Sequence, residues 1–176
     1  MQKCLIAMGG LPGVGKSTLA ERIANELGAT LLSIDPIEAA IWRCGIPPSF
    51  ETGLAAYVVA EAVAEQQLAA GRSAVIDAVN PIEISRQMWR ELATRQGTVL
   101  LFVECVCPDL DLHRARVEGR QRNIPGMPEV PWERVQATLE YYEPWTDARI
   151  TLDTTRPIAE TLAEAMAYIR HEARHP

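Results

Sequence analysis

Residues Gly10 to Ser17 read Gly-Leu-Pro-Gly-Val-Gly-Lys-Ser: a glycine, four free positions, then Gly-Lys-Ser. That spacing suits a nucleoside triphosphate. A triphosphate packs many negative oxygens into a small volume, so its binder must aim many donors at one point. Glycines let the backbone turn its N–H groups inward. A helix that starts at once adds its positive N-terminal end. In such a loop Gly10, Gly13, Val14 and Gly15 form the cradle and Thr18 closes its first helical turn. Lys16 would reach the β- and γ-phosphates, and the Ser17 hydroxyl would sit on Mg²⁺.

Two carboxylates stand where apolar runs end. Asp35 follows Thr30 to Ile34 and precedes Pro36. There it would accept the proton of an attacking hydroxyl; it would also suit a helix cap. Asp77 closes Ser73 to Ile76, an apolar strand ending in Asp that resembles the Walker-B element, whose carboxylate holds Mg²⁺. Asn80 precedes Pro81 and is expected to cap the next helix. Arg114, Arg116, Arg120 and Arg122 crowd into nine residues ahead of a Gly/Pro-rich stretch. Arg116 and Arg120, four apart, would share a helical face. They are expected on a short lid, about residues 114–131, that stabilises transferring phosphates and excludes water. The other reading of the same run is a solvated basic face paired with Glu118. Trp132, Tyr141, Tyr142 and Trp145 read as packing residues. Thr154, Thr155, Arg156 and Pro157 are placed to touch the nucleobase, with Arg156 as the candidate contact.

The elements that must position these groups alternate. Lys3 to Met8 is a short apolar run, and Ser17 to Leu27 repeats apolar residues at helical spacing up to Gly28. Thr30–Ile34, Ser73–Ile76, Thr98–Cys105 and Arg149–Leu152 read as further strands. Helices are expected over Pro36–Arg43, Glu51–Ala70, Pro81–Arg95, Asp109–Arg120, Pro131–Tyr142 and Ile158–His171, with a loop over Gln121–Val130. Alternation of this kind implies an α/β fold with a five-stranded, mainly parallel sheet and helices on both faces. Ligands in such sheets bind beyond the carboxyl ends of the strands. That rule brings the glycine loop, Asp35 and Asp77 to one rim.

The chain has 176 residues, 48% apolar and 23% charged, which fits one soluble domain over 1–176. Its net charge of −6 disfavours an extended nucleic-acid footprint. No apolar stretch approaches the roughly 20 residues that span a bilayer, and no leader peptide is visible; the expected location is the cytoplasm. Cys4, Cys44, Cys105 and Cys107 form no Cys-x-x-Cys pair, and His113, His171 and His175 lack zinc spacing. The cysteines are expected as small core or near-surface residues, with Cys105 and Cys107 on one face of a strand.

Gly-Leu-Pro-Gly-x-Gly-Lys-Ser-Thr, the strand ending at Asp35, Val-Ile-Asp77, the Glu104-Cys105 strand end with Pro108 soon after, and the Arg116/Arg120 pair together resemble the small P-loop kinases. Within them the chain is most similar to the predicted kinases of the AAA_33-like group, related to the polynucleotide 5′-hydroxyl kinase and zeta-toxin branches. The resemblance implies the P-loop NTPase fold, ATP and Mg²⁺, and an arginine lid. In the polynucleotide-kinase branch an arginine follows the catalytic Asp by three residues. Here that position is Glu38, which disfavours an acceptor carrying a phosphate beside its hydroxyl.

The expected activity is transfer of the γ-phosphoryl group of ATP to a hydroxyl of a small-molecule acceptor. Lys16, Asp35, Arg116 and Arg120 are the expected catalytic groups, and Ser17 and Asp77 the metal ligands. The segment from Arg43 to Tyr57 is expected to border the acceptor. The alternatives are a nucleotide or polynucleotide 5′-hydroxyl kinase and a regulatory module that binds ATP without transferring phosphate.

Overall fold

A computed structural model describes residues 2–174; His175 lies outside them. A strand that is apolar at every position needs cover on both faces and so belongs at the centre of a parallel sheet. Strand β1 (Cys4–Gly9) is such a run, and all six of its residues are buried. Around it β2 (Thr30–Ser33), β3 (Ala74–Asp77), β4 (Val99–Val106) and β5 (Arg149–Asp153) pair in the order β2-β3-β1-β4-β5. Every pairing is parallel. The register sets Ser33 beside Asp77, Gly9 beside Glu104 and Val106 beside Asp153. The carboxyl ends therefore form one level rim.

The pleat divides the core. Cys4, Ile6 and Met8 face α1 (Lys16–Leu27) and α7 (Ile158–Glu172), whereas Leu5 and Ala7 face α3 (Phe50–Ala69) and α4 (Glu83–Gln96). Helix α3 approaches closely because Ala56, Ala60, Ala64 and Leu68, four apart, form its buried stripe. Helix α2 (Ile34–Arg43) packs on α3, and α5 (Leu110–Glu118) and α6 (Trp132–Glu140) flank the stretch between them. Among the described residues no helix is long and apolar enough to cross a membrane.

Four local expectations are corrected. Strand β2 stops at Ser33 and α2 begins at Ile34, so Asp35 sits inside the first turn and Pro36 is the third helical residue, not the first. Proline is tolerated there because the first four helical N–H groups have no intrahelical partner. Helix α5 ends at Glu118 with Gly119 as its cap, which leaves Arg120 beyond the helix that was expected to carry it. Cys107 lies just past β4 rather than on it, although it shares a core cluster with Cys105.

The fourth correction concerns Asn80. Helix α4 starts at Glu83 after Ile82, so Asn80 caps nothing. It is fully buried, with φ of 48°, a left-handed conformation that Asn tolerates better than most residues. Its Nδ2 donates to the Met8 carbonyl at 2.6 Å and its Oδ1 accepts from Trp89 Nε1 at 2.9 Å. Its own carbonyl accepts from Arg86 Nε at 3.1 Å. The buried Arg86 guanidinium also donates to the carbonyls of Glu143 and Pro144, each at 2.8 Å, and stacks on Trp145 at 3.8 Å. Trp145 in turn covers Gly9, where an added Cβ would lie 2.4 Å from the indole. Trp145 and Trp132 thus pack as expected, on Phe102 and His113, while Tyr141 is exposed.

Asn80 holds the end of β1 immediately behind the glycine loop. Asn80→Ala leaves a buried indole N–H and a buried carbonyl unpaired. It is expected to lower stability by about 2–4 kcal/mol, read as a lower urea midpoint with unchanged m-value.

Candidate active site

The loop between β1 and α1 takes its shape from glycine. Gly13 and Gly15 have φ of 83° and 96°, a region closed to most side chains. Gly10 and Gly13 are also demanded by space. An added Cβ would lie 2.2 Å from the Cys105 carbonyl oxygen at Gly10 and 2.3 Å from Val117 Cγ2 at Gly13. The loop is pressed against β4 on one side and α5 on the other. Helix α1 then starts with no side-chain cap and no acidic residue in its first turn. Its N–H groups and its positive dipole end remain available to an anion.

Lys16 is buried, and its Nζ donates to the Leu11 carbonyl at 2.8 Å. Burial pushes its ammonium pKa down, while the carboxylates of Asp77 and Asp35 push it back up. Ser17 and Thr18 stay exposed at the loop's mouth.

A cavity of about 370 Å³ opens beyond this loop. Gly13, Gly15, Lys16, Ser17 and Thr18 line one side, Arg116 and Arg120 a second, and Thr154, Arg156, Ile158 and Thr161 the third. Four cationic side chains and no carboxylate line it, in a chain of net charge −6. Gly10 and Val14 do not line it: Gly10 faces β4, and the buried Val14 side chain joins the core.

Arg116 is placed by Thr154. It donates through Nη1 to the Thr154 hydroxyl at 3.1 Å and through Nη2 to the Thr154 carbonyl at 2.9 Å. That hydroxyl lies 2.6 Å from the Val14 carbonyl and 3.1 Å from that of Val106. One threonine therefore ties the glycine loop, β4 and the arginine together. The strand-end rule had placed the Thr154 turn on the rim but gave it no such task. Ile158 and Thr161, on α7, carried no signal of their own. Arg120 reaches the same cavity from past the end of α5; burial and the neighbouring Arg122 both lower its pKa. Arg156 stands at the outer edge, paired with Glu160 and Glu164.

Two carboxylates, Asp77 and Asp35, lie close enough to Lys16 and Arg120 to act on their charges. Asp77 accepts a hydrogen bond from Ser33 Oγ at 3.1 Å, across the β2–β3 pairing. The exposed Ser17 hydroxyl and the Asp77 carboxylate are hard oxygen donors of the kind Mg²⁺ takes together with phosphate oxygens and water. The residues present therefore fit that ion. Among the described residues no three His, Cys, Asp or Glu side chains gather around one point.

Asp35 meets the stretch that follows α5. It is ion-paired with Arg122, a member of the arginine run that sequence reasoning had not singled out. Arg122 is also held by Glu129, which accepts from the Arg122 backbone N–H at 2.6 Å and from Nε at 2.9 Å. One helical turn after Asp35, Glu38 accepts from the Thr52 hydroxyl at 3.2 Å, and burial pushes its carboxyl pKa up. Trp42 Nε1 donates to the same Thr52 oxygen at 3.0 Å. These bonds join α2 to the first turn of α3.

A family model described as an AAA domain, AAA_33, matches residues 5–145. The chain belongs to this family. Its fold is that of several solved kinases. A sugar kinase from Janibacter sp. superposes with a TM-score of 0.70 at 21% identity, over 96% of this chain and 95% of that one. A gluconokinase from Sinorhizobium meliloti gives 0.68 at 23%, over 97% and 94%. The APS kinase CysC of Mycobacterium tuberculosis, in complex with AMPPNP and APS, gives 0.67 at 19%, over 96% and 98%. Uncharacterized proteins of Mycobacterium tuberculosis and Mycobacterium bovis are 30% identical over 112 residues, 57% of this chain. The aligned part spans only 22% of their length.

Thr154→Val keeps the shape of the side chain and removes its hydroxyl. With the hydroxyl's contacts to Arg116 Nη1 and the Val14 carbonyl lost and only the Thr154 carbonyl still holding Arg116, affinity for AMPPNP, measured by calorimetric titration, is expected to fall about tenfold, the equivalent of one charge-assisted hydrogen bond.

Proposed function

We propose that this protein is an ATP-dependent phosphotransferase that moves the γ-phosphoryl group to a hydroxyl of a small-molecule acceptor. One observation carries the proposal. A cavity lined by Lys16, Arg116, Arg120 and the acid-free start of α1 opens beside two carboxylates, Asp35 and Asp77, in an otherwise acidic protein. Phosphoryl transfer asks a protein for little beyond that: reactants held in line, and charge neutralised as it moves.

The residues divide the work. The loop N–H groups and Lys16 hold the β- and γ-phosphates. Ser17 and Asp77 would hold Mg²⁺, which when bound offsets phosphate charge. Asp35 accepts the proton of the acceptor hydroxyl as its oxygen bonds to the γ-phosphorus and the bond to the β-phosphate bridging oxygen breaks, leaving ADP. Arg116 and Arg120 stabilise the charge on the transferring group. The alcohol acceptors named for the sugar kinase and gluconokinase of this fold favour a hydroxyl acceptor here, and AMPPNP in CysC favours ATP. The net charge of −6 and Glu38, in place of a cation beside Asp35, disfavour a nucleic-acid end.

The test is transfer from γ-labelled ATP into a pool of sugars, sugar acids, amino alcohols and 5′-hydroxyl oligonucleotides, read by mass. Label is expected in a small alcohol. Lys16→Ala should abolish labelling together with AMPPNP binding. Asp35→Asn should cut transfer by about 10²–10⁴ with AMPPNP affinity within twofold. Label only in the oligonucleotides would make this a polynucleotide kinase. Labelling untouched by Asp35→Asn would remove Asp35 from the chemistry.

A further inference from the structure

Asp35, Ala39 and Arg43 are spaced by four on α2 and so form one ridge along the helix. The stretch after α5 lies on that ridge and meets it at three places. Arg122 pairs with Asp35 at one end. Gly126, with φ of 86°, passes over the middle, where an added Cβ would be 3.7 Å from the Ala39 carbonyl oxygen and 3.0 Å from Arg43 Cγ. The Pro125 carbonyl accepts from Arg43 Nη1 at 2.7 Å at the far end.

Arg122 is built differently from the other arginines here. Three of its four polar contacts stay within its own loop: its backbone N–H and Nε on Glu129, and Nη2 on the Pro128 carbonyl at 3.1 Å. Those contacts set the plane of the guanidinium, so only Nη1 reaches across to α2. Its side chain is 8% exposed, whereas that of Asp35 is 46% exposed. The pair is closed on the arginine side and open on the carboxylate side. The grip is also single: Arg122 takes Oδ2 of Asp35, and Oδ1 makes no hydrogen bond among the described residues. Arg90 provides the contrast, since its Nη1 engages both oxygens of Asp147, at 2.7 and 2.9 Å. A carboxylate held by both oxygens is a structural anchor; one held by a single oxygen is oriented and still able to accept a proton.

We propose that Arg122 is a positioning residue for phosphoryl transfer. Seated by Glu129 and Pro128, it orients the Asp35 carboxylate, so that docking of the 120–131 stretch along α2 and alignment of the base are one event. The proposal rests on the reading of Asp35 as the group that activates the acceptor. It makes Arg122 distinct from Arg116 and Arg120, which line the phosphate cavity and act on the transferring group.

The full chain and its Arg122→Gln, Arg122→Lys, Asp35→Asn and Asp35→Asn/Arg122→Gln forms are compared in two measurements. The first needs no acceptor: amide hydrogen exchange across residues 34–43 and 120–131. Arg122→Gln and Asp35→Asn are each expected to speed exchange severalfold in both segments, and the double change no further than the faster of the two, because either single change already removes the Asp35–Arg122 pair. Independent, multiplying effects would overturn the proposal. The second measurement is transfer from γ-labelled ATP to the pool described above. Arg122→Gln should lower kcat on the order of 100-fold, the effect of a misplaced reacting group, with the KM for ATP within twofold. Arg122→Lys should recover part of that loss. A raised KM for ATP at unchanged kcat would instead make Arg122 a phosphate ligand and overturn its role as a positioning residue. Asp35→Asn inactive with Arg122→Gln fully active refutes the proposal alone; Asp35→Asn fully active refutes the base reading beneath it.

Discussion

Lys16 places a buried ammonium at the edge of a sheet, and that burial constrains everything around it. An isolated charge taken out of water is costly unless neighbouring groups replace its hydration. Here the Leu11 carbonyl takes its Nζ, and Asp77 at the end of β3 and Asp35 in the first turn of α2 supply opposite charge. Neither carboxylate closes onto the lysine, for each is occupied elsewhere: Asp77 by Ser33, Asp35 by Arg122. The site is therefore a set of charges close enough to feel one another and held apart by other partners.

Holding that arrangement takes a stiff frame behind the loop. Asn80 pins β1 to α4, and Arg86 clamps the Asn80 segment to residues 143–145 and stacks on Trp145. Trp145 covers Gly9, and β4 and α5 press on Gly10 and Gly13. Thr154 closes the ring from the far side. None of these residues needs to touch a phosphate. Together they remove the freedom that a glycine-rich loop would otherwise keep, so that its backbone is fixed before a ligand arrives. The stretch beside Asp35 is held more lightly: residues 120–131 meet α2 at three points along one ridge.

Much of this was legible beforehand, and the limits follow a pattern. The order of strands and helices, the glycine loop and the two strand-end carboxylates come from signals within a dozen neighbouring residues, so they were readable one after another. The errors lie where a local rule met a distant partner. Asn80 before a proline looks like a cap, yet its side chain is claimed by Met8, 72 positions away. Arg116 and Arg120 look like a helical pair, but Gly119 ends the helix between them, and Arg116 is placed by Thr154, 38 positions on. Arg122 is the sharpest case. Within the run Arg114, Arg116, Arg120 and Arg122 nothing local separates it from its neighbours, and its partner Asp35 is 87 residues earlier.

By itself, then, the sequence determined what depends on backbone freedom and short-range periodicity: a left-handed glycine loop between an apolar strand and a helix, a parallel sheet, and chemistry gathered at its carboxyl rim. Those follow because φ/ψ limits and burial of an apolar face act residue by residue and turn by turn. Only the tertiary structure decided which arginines line the cavity and which pairs with Asp35, why Asn80 is buried, and how Thr154 joins the loop to Arg116. Such pairings depend on strand order and on where each loop crosses the rim, and a charge or a hydrogen-bonding group carries no mark of its partner until the fold brings the two within reach.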